Sequence, residues 1–335
     1  MSSTTRTITG TAAASVIAAL GTRAAVRHWA GQSAGAAGPA RRGTVGAPVP
    51  PVLPAGRVLN LPGRGEIFVR DSGGTSATPA VLLLHGWTAS ADINFFPVYP
   101  CLAGSYRVIA LDLRGHGRGI RSTEPFSLED CADDAAALLE QLGAGRVIVV
   151  GYSMGGPVGL LLARRHREQV AALVMQATAL EWHRAPRERA VWRLLPLMDL
   201  SLRFGAGAGL VERILRQAFE EDPELGAYRP WLAAEFRRAT ARDLVAAGRA
   251  LSRYDARPWA GQLDVPAAML VTTRDRLVRP AKQRELAKTL GAATLEIDAD
   301  HDLPLVNGAE YGRLTRLAVD RVAAGAGLVP VSSTS

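Results

Sequence analysis

Five stretches of this chain are apolar almost without a break: residues 79–84, 107–111, 147–150, 171–175 and 265–271. A strand with one face in water alternates between apolar and polar residues, whereas a strand covered on both faces has no reason to. Helical patterns lie between these runs. Residues 128–142 have helical spacing, with Ser127 as N-cap and Gly143 just past the end. An Ala- and Leu-rich segment follows Gly156, and residues 281–290 and 310–323 also read as helices. Strands covered on both faces and alternating with helices imply an α/β fold built on a mostly parallel, doubly wound sheet. In such sheets ligands bind in the loops that follow the strands, and here those loops are polar and rich in Gly. Residues 66–70 alternate like an edge strand, and residues 293–297 form a last strand.

The loop after 147–150 carries the strongest chemical signal. Gly151-Tyr152-Ser153-Met154-Gly155 fits G-x-S-x-G between a strand and a helix, the context in which the Ser sits on a strained turn with its hydroxyl exposed. Glycines flank such a turn because the backbone passes too close to its neighbours for a Cβ. A serine hydroxyl needs a base within hydrogen-bond reach, and the base needs a third group to fix its tautomer. Of His28, His85, His116, His166, His183 and His301, only His301 lies directly after a late strand, in a loop able to reach Ser153. Asp275, after the 265–271 strand, is the expected acid. Two alternatives stand beside it: Asp275 as a cap for the following helix or a partner of Arg274 or Arg276, and Asp298, Asp300 or Asp302 as the partner of His301.

An acyl-transfer site also needs donors for the developing oxyanion. The amide of Met154 is one candidate, and the amide of Trp87, in the loop after 79–84, is the second. His85 reads as ordering that loop. Asp112, Arg114 and His116 read as tying together a neighbouring one.

Taken together, Leu-His-Gly-Trp (84–87), Asp-Leu-Arg-Gly-His-Gly (112–117), Gly-Tyr-Ser-Met-Gly-Gly (151–156), Thr-Arg-Asp-Arg-Leu-Val (273–278) and Asp-His-Asp-Leu-Pro (300–304) resemble the motifs of the α/β-hydrolase superfamily, in its lidded serine-hydrolase branch. The order Ser153, Asp275, His301 is the order of that family's triad. The resemblance spans residues 57–325. It implies a carboxylesterase-like hydrolase acting through an acyl-enzyme on a small-molecule acyl compound, with no cofactor and no metal; the Trp, Leu and Met content of the segment after 171–175 suggests an apolar acyl or alcohol moiety. Its alternatives are an acyltransferase or perhydrolase-like enzyme on the same site, and a low-turnover ligand-binding member of the fold. Epoxide hydrolases and haloalkane dehalogenases are disfavoured, because their similar folds use an Asp nucleophile. Asp298, Asp300 and Asp302 around the base depart from the usual pattern.

The division expected is a flexible or targeting segment over 1–56, the first part of the core over 57–177, a helical cap or lid over 178–263, the second part of the core over 264–325, and a frayed tail over 326–335. Within the cap, residues 190–200, 210–219 and 231–251 have helical character. Its Trp182, Trp192, Trp231 and Trp259 either face a ligand or pack a small core of their own. Residues 11–20 are weakly apolar after Arg6 and read either as a targeting or anchoring piece or as an Ala-rich helix; a membrane span needs about 20 apolar residues. Net charge is +8 and pI about 10.1. The excess is scattered Arg, with only Lys282 and Lys288 as lysines and no basic run with interleaved aromatics, so nucleic acid is not an expected partner. Membrane association is expected only through the N-terminal segment, and otherwise a cytoplasmic protein. Cys101 and Cys131 make neither a metal cluster nor a disulfide framework.

Overall fold

A computed structural model of the chain describes residues 50–75, 78–195, 227–238 and 240–330. The apolar runs become strands of one eight-stranded sheet. These are β1 (Gly56–Leu61), β2 (Gly65–Asp71), β3 (Ala80–Leu84), β4 (Arg107–Leu111), β5 (Val147–Tyr152), β6 (Val170–Gln176), β7 (Ala267–Thr272) and β8 (Ala293–Ile297), in the spatial order β1-β2-β4-β3-β5-β6-β7-β8. β1 and β2 pair antiparallel, as do β2 and β4; β3 to β8 run parallel.

The strands covered on both faces are buried from end to end. Val81, Leu83, Ile148, Val150, Ala172 and Val174 point to one face, where α1 (Ala91–Phe95), α2 (Tyr99–Leu102) and the long C-terminal helix Gly308–Gly325 cover them. Leu82, Leu84, Val149, Leu173 and Met175 point to the other, under α3 (Leu128–Gln141) and α4 (Gly155–Arg165). Ser127 caps α3 by accepting from the Asp130 amide, as its position implies.

Strand order reverses between β3 and β5. Successive connections lead from β3 outward to β4, and from β5 outward to β6. The loops after these two neighbours therefore diverge and leave a crevice at their carboxyl ends. Register places Leu84 beside Gly151, so the Trp87 and Ser153 loops leave the sheet side by side.

Two expectations are corrected. Residues 66–70 do not form an edge: β1 pairs along β2 and is itself the edge. The β1 residues are mostly exposed, so no continuous apolar run marked it. The stretch 231–251 is two helices, α6 (Arg229–Phe236) and α7 (Ala241–Leu251), because Thr240 takes the Asp243 amide on its side chain and starts a new helix. Between β6 and β7 the described residues also hold α5 (Pro186–Arg193), which begins before the expected 190, with Pro at its first turn. A single bridge between Glu181 and Asp255 is the only β pairing in this stretch among the described residues. The expected helix at 210–219, the end of that at 190–200, and the N-terminal piece at 11–20 lie outside the described residues. After β7 come α8 (Pro280–Thr289), α9 (Leu303–Val306) and α10 (Gly308–Gly325). Among the described residues no helix is long and apolar enough to cross a membrane, and no group of His, Cys, Asp and Glu is arranged to hold a metal ion.

Candidate active site

Ser153 follows β5 with φ of 52°, in the left-handed region that a residue with a Cβ adopts at a cost. The turn is held on both sides: the Ser153 amide donates to Gln176 O at 2.9 Å, and the Gly156 amide donates to Ser153 O at 2.9 Å. Its glycines are there for space. A Cβ on Gly155 would fall on the Leu84 carbonyl, and one on Gly151 would lie 2.5 Å from the Gly155 oxygen.

Three chain segments meet above this turn. His301 Nε2 lies 3.0 Å from Ser153 Oγ, and His301 Nδ1 lies 2.8 Å from Asp275 Oδ2. A carboxylate only accepts, so Nδ1 carries the proton and Nε2 offers its lone pair to the serine hydroxyl. Tyr152 Oη donates to the His301 carbonyl at 2.7 Å and fixes the loop that presents the imidazole. The Asp275 carboxylate is saturated. Oδ1 accepts the amides of Leu277 and Val278 at 2.9 and 2.7 Å. Oδ2 accepts from Thr272 Oγ1 at 2.9 Å and Gln283 Nε2 at 3.1 Å, besides His301.

The alternatives separate on geometry. Arg274 pairs with Asp298 and Arg276 with Asp300, so neither Arg holds Asp275. Asp300 takes the amides of Arg276 and His301 at 3.0 and 2.8 Å and shapes the loop without receiving Nδ1. Burial opposes the charge on Asp300, but these amides and the Arg276 side chain outweigh it and hold its carboxyl below the usual range. Asp302 lines the cavity beside the imidazole. For His301, burial favours the neutral ring, yet the charge and hydrogen bond of Asp275, with Asp300 and Asp302 behind them, leave its pKa above 6.5.

The loop after β3 faces the serine closely: a Cβ on Gly86 would lie 3.1 Å from Ser153 Cβ. The Gly86 amide donates to Asn94 Oδ1 at 2.7 Å. His85 is fully buried; it accepts the Leu113 amide on Nε2 at 2.9 Å and donates from Nδ1 to Gly86 O at 2.8 Å. Burial lowers its pKa, so it is a neutral brace for the loop. The amides of Trp87 and Met154 find no acceptor among the described residues. The Trp87 indole donates to Leu244 O at 2.8 Å and packs tilted against Trp192 with ring centroids 5.8 Å apart, which ties this loop to the helices between β6 and β7.

The neighbouring loop is structural. Asp112 accepts the Ala91 and Arg118 amides, both at 2.8 Å, and Arg114 forks onto Asp134 at 2.9 and 2.8 Å. His116 donates from Nδ1 to Arg114 O, and burial with the neighbouring His85 pushes its pKa down to about 3. Arg118 reaches Asp92, Asp112 and Glu235, and Ser90 Oγ also bonds Glu235, which fastens α6 to the core. Lys282 bonds Glu181 and Glu188 at the opposite root of the same stretch.

A cavity of about 110 Å³ opens beside Ser153. None of Trp182, Trp192, Trp231 or Trp259 lines it; Phe236 does, with Trp87 from the core. Trp231 packs on Phe96, and Trp259 against Tyr254 and Arg164. Sequence reasoning missed Gln283 and Asn94, both polar residues on helices with no motif around them.

Comparison with known proteins agrees with this architecture. A family model described as alpha/beta hydrolase fold matches residues 79–218. A pimeloyl-[acyl-carrier protein] methyl ester esterase of Neisseria meningitidis is 29% identical over 229 residues, which is 66% of this chain and 70% of that protein. Epoxide hydrolase B of Mycobacterium tuberculosis is 35% identical over 121 residues, 35% of this chain and 34% of that protein. The chain spans less than half the length of several curated relatives that it matches. The enol-lactonase of Burkholderia xenovorans LB400 superposes with a TM-score of 0.67 at 24% identity, over 77% of this chain and 98% of that one, a likeness of fold.

Proposed function

This chain belongs to the α/β-hydrolase superfamily, and from that premise we propose that it is a serine hydrolase that cleaves an ester or related acyl bond through an acyl-enzyme. The observation that carries the reading is the unbroken hydrogen-bond path from Asp275 through His301 to Ser153, at 2.8 and 3.0 Å, opening on a cavity. Ser153 Oγ attacks the substrate carbonyl while His301 Nε2 takes its proton. Asp275 stabilises the imidazolium that forms and holds its tautomer. The amides of Met154 and Trp87 receive the oxyanion; loss of one such donor typically costs about a hundredfold to a thousandfold in kcat. His301 hands its proton to the departing alkoxide, and the acyl group stays on Ser153. Water then attacks the acyl carbonyl, giving a proton to His301, which returns it to Ser153 as the acid leaves.

The similarity to an epoxide hydrolase raises a second chemistry, but the nucleophile position holds Ser153 where epoxide hydrolases of this fold use an Asp. A hydroxyl with a base at 3.0 Å suits attack on a carbonyl. The test is turnover of short p-nitrophenyl esters, with mass-spectrometric labelling by a fluorophosphonate. Wild type turns over and is labelled on Ser153, while Ser153→Ala loses both and keeps its circular dichroism spectrum. Equal turnover by Ser153→Ala would refute the assignment.

A further inference from the structure

The cavity beside Ser153 is small, and Asn94, Thr88 and Asp302 bring to it polar groups that the reaction does not use. A cavity of about 150 Å³ takes a benzene ring, so the roughly 110 Å³ here has room for about four or five non-hydrogen atoms. Ile93, Phe236 and Leu305 give it apolar walls. Asn94 also lines it, and Asn94 is only 8% exposed. The orientation of its amide follows from its neighbour: the Gly86 N–H needs an acceptor, so the oxygen of Asn94 faces Gly86, at 2.7 Å. Nδ2 is left on the other side with no acceptor among the described residues. Asn94 is nine-tenths buried and lines the cavity, so a donor it holds there without a protein partner is placed to bind a ligand oxygen.

The charge around the cavity narrows the ligand. Among the described residues that line it there is no Lys or Arg, and the carboxylate of Asp302 is there. A substrate carboxylate would lie beside that carboxylate, and none of these described residues offers it a cation. A neutral oxygen meets the amide donor without that repulsion.

We propose that the acyl group this enzyme takes is short and uncharged and carries an oxygen acceptor (a hydroxy-, oxo- or alkoxyacyl ester), and that Asn94 Nδ2 binds that oxygen while Asn94 Oδ1 holds Gly86. The inference rests on the ester-hydrolase reading of Ser153 and goes beyond it to the substrate class. Asn94 thereby links recognition to the loop that carries the Trp87 amide.

The experiment compares p-nitrophenyl methoxyacetate with p-nitrophenyl butyrate, acyl groups of equal length in which an oxygen replaces a methylene. The kcat/KM values are divided by each ester's rate in hydroxide, which removes the intrinsic difference in reactivity. Wild type favours the methoxyacetate by about fivefold or more, the worth of one neutral hydrogen bond. Asn94→Asp keeps an acceptor for Gly86 but has no donor, and Asn94→Leu has neither; in both, the normalised ratio falls to near one. Any general harm from either substitution affects both esters and cancels in the ratio. A wild-type ratio near one, or a preference that survives in both variants, overturns the assignment of Asn94. A wild type that hydrolyses neither ester overturns the ester-hydrolase reading together with it.

Discussion

Gln283 shows how much of this site depends on a residue that touches neither nucleophile nor base. It is fully buried on α8. Its Oε1 accepts the Thr272 amide at 3.0 Å, and its Nε2 reaches Thr272 Oγ1 at 2.8 Å, Asp275 Oδ2 at 3.1 Å and Val278 O at 2.7 Å. Gln283→Leu nearly preserves the volume and strands the Thr272 N–H and the Val278 carbonyl. At about 1–3 kcal/mol for each buried group left unmade, the loss of stability is about 2–6 kcal/mol. Asp275 keeps four of its five donors, so the expected fall in kcat is modest, about tenfold, or ~1.4 kcal/mol. Gln283→Glu retains the acceptor but sets a second carboxylate 3.1 Å from Asp275 Oδ2. At an effective dielectric constant of about 20, that repulsion is about 5 kcal/mol. The introduced carboxyl resists ionisation, so its folded pKa rises above an unfolded value of about 4.3. Its contribution to stability is therefore fully present below that value and is lost as pH rises towards the folded pKa. Urea denaturation of wild type and both variants at pH 5 and pH 8, followed by circular dichroism, reads these terms. The Leu variant should be destabilised relative to wild type at both pH values. The Glu variant should be the weaker of the two at pH 8 and recover at pH 5. A Leu variant within about 0.5 kcal/mol of wild type, the range of an ordinary surface change, would refute the accounting. So would a Glu variant with no pH dependence beyond that of wild type.

Two further outcomes follow from the same geometry. His301 works as a base only when neutral, and its pKa lies above 6.5. The acid limb of the kcat/KM profile should therefore centre above pH 6.5 and move down in Asp300→Asn, which removes one of the charges that raise it; a limb at or below 6.5 in wild type contradicts this. Trp87→Phe removes the indole bond to Leu244 O and thins the contact with Gly248, whose Cβ position lies 2.8 Å from the ring. The loss should appear as a fall of about tenfold in kcat with little change in KM, since the proposed mechanism sets the amide it steadies against charge that develops only in the transition state. A rise in KM alone would assign the indole to substrate binding instead.

What the sequence disclosed follows from how each element is buried. β3, β5 and β6 were legible because strands covered on both faces must be apolar throughout. β1, mostly exposed, left no such run, and the edge was assigned one strand too far in. The chemistry-bearing residues shared the legibility of the strands. Ser153, Asp275 and His301 each stand a few residues past a strand end, so reading the strands already placed their side chains on one rim. Their supports had no such address. Gln283 and Asn94 lie on helices, where a polar side chain is ordinarily a solvated one, and only the partners show otherwise. One signal was present for Gln283. A carboxylate set in a strand-end loop under a covered sheet needs donors, and the helix that starts at Pro280 brings the Gln283 amide back over Thr272 and Asp275 within its first turn. For Asn94 the corresponding demand comes from Gly86: a glycine packed against Ser153 has no side chain to steady it, so its amide must be held from outside. In both cases the reacting residue follows from strand position. The residue that steadies it follows from asking where the reacting residue's remaining hydrogen bonds must go.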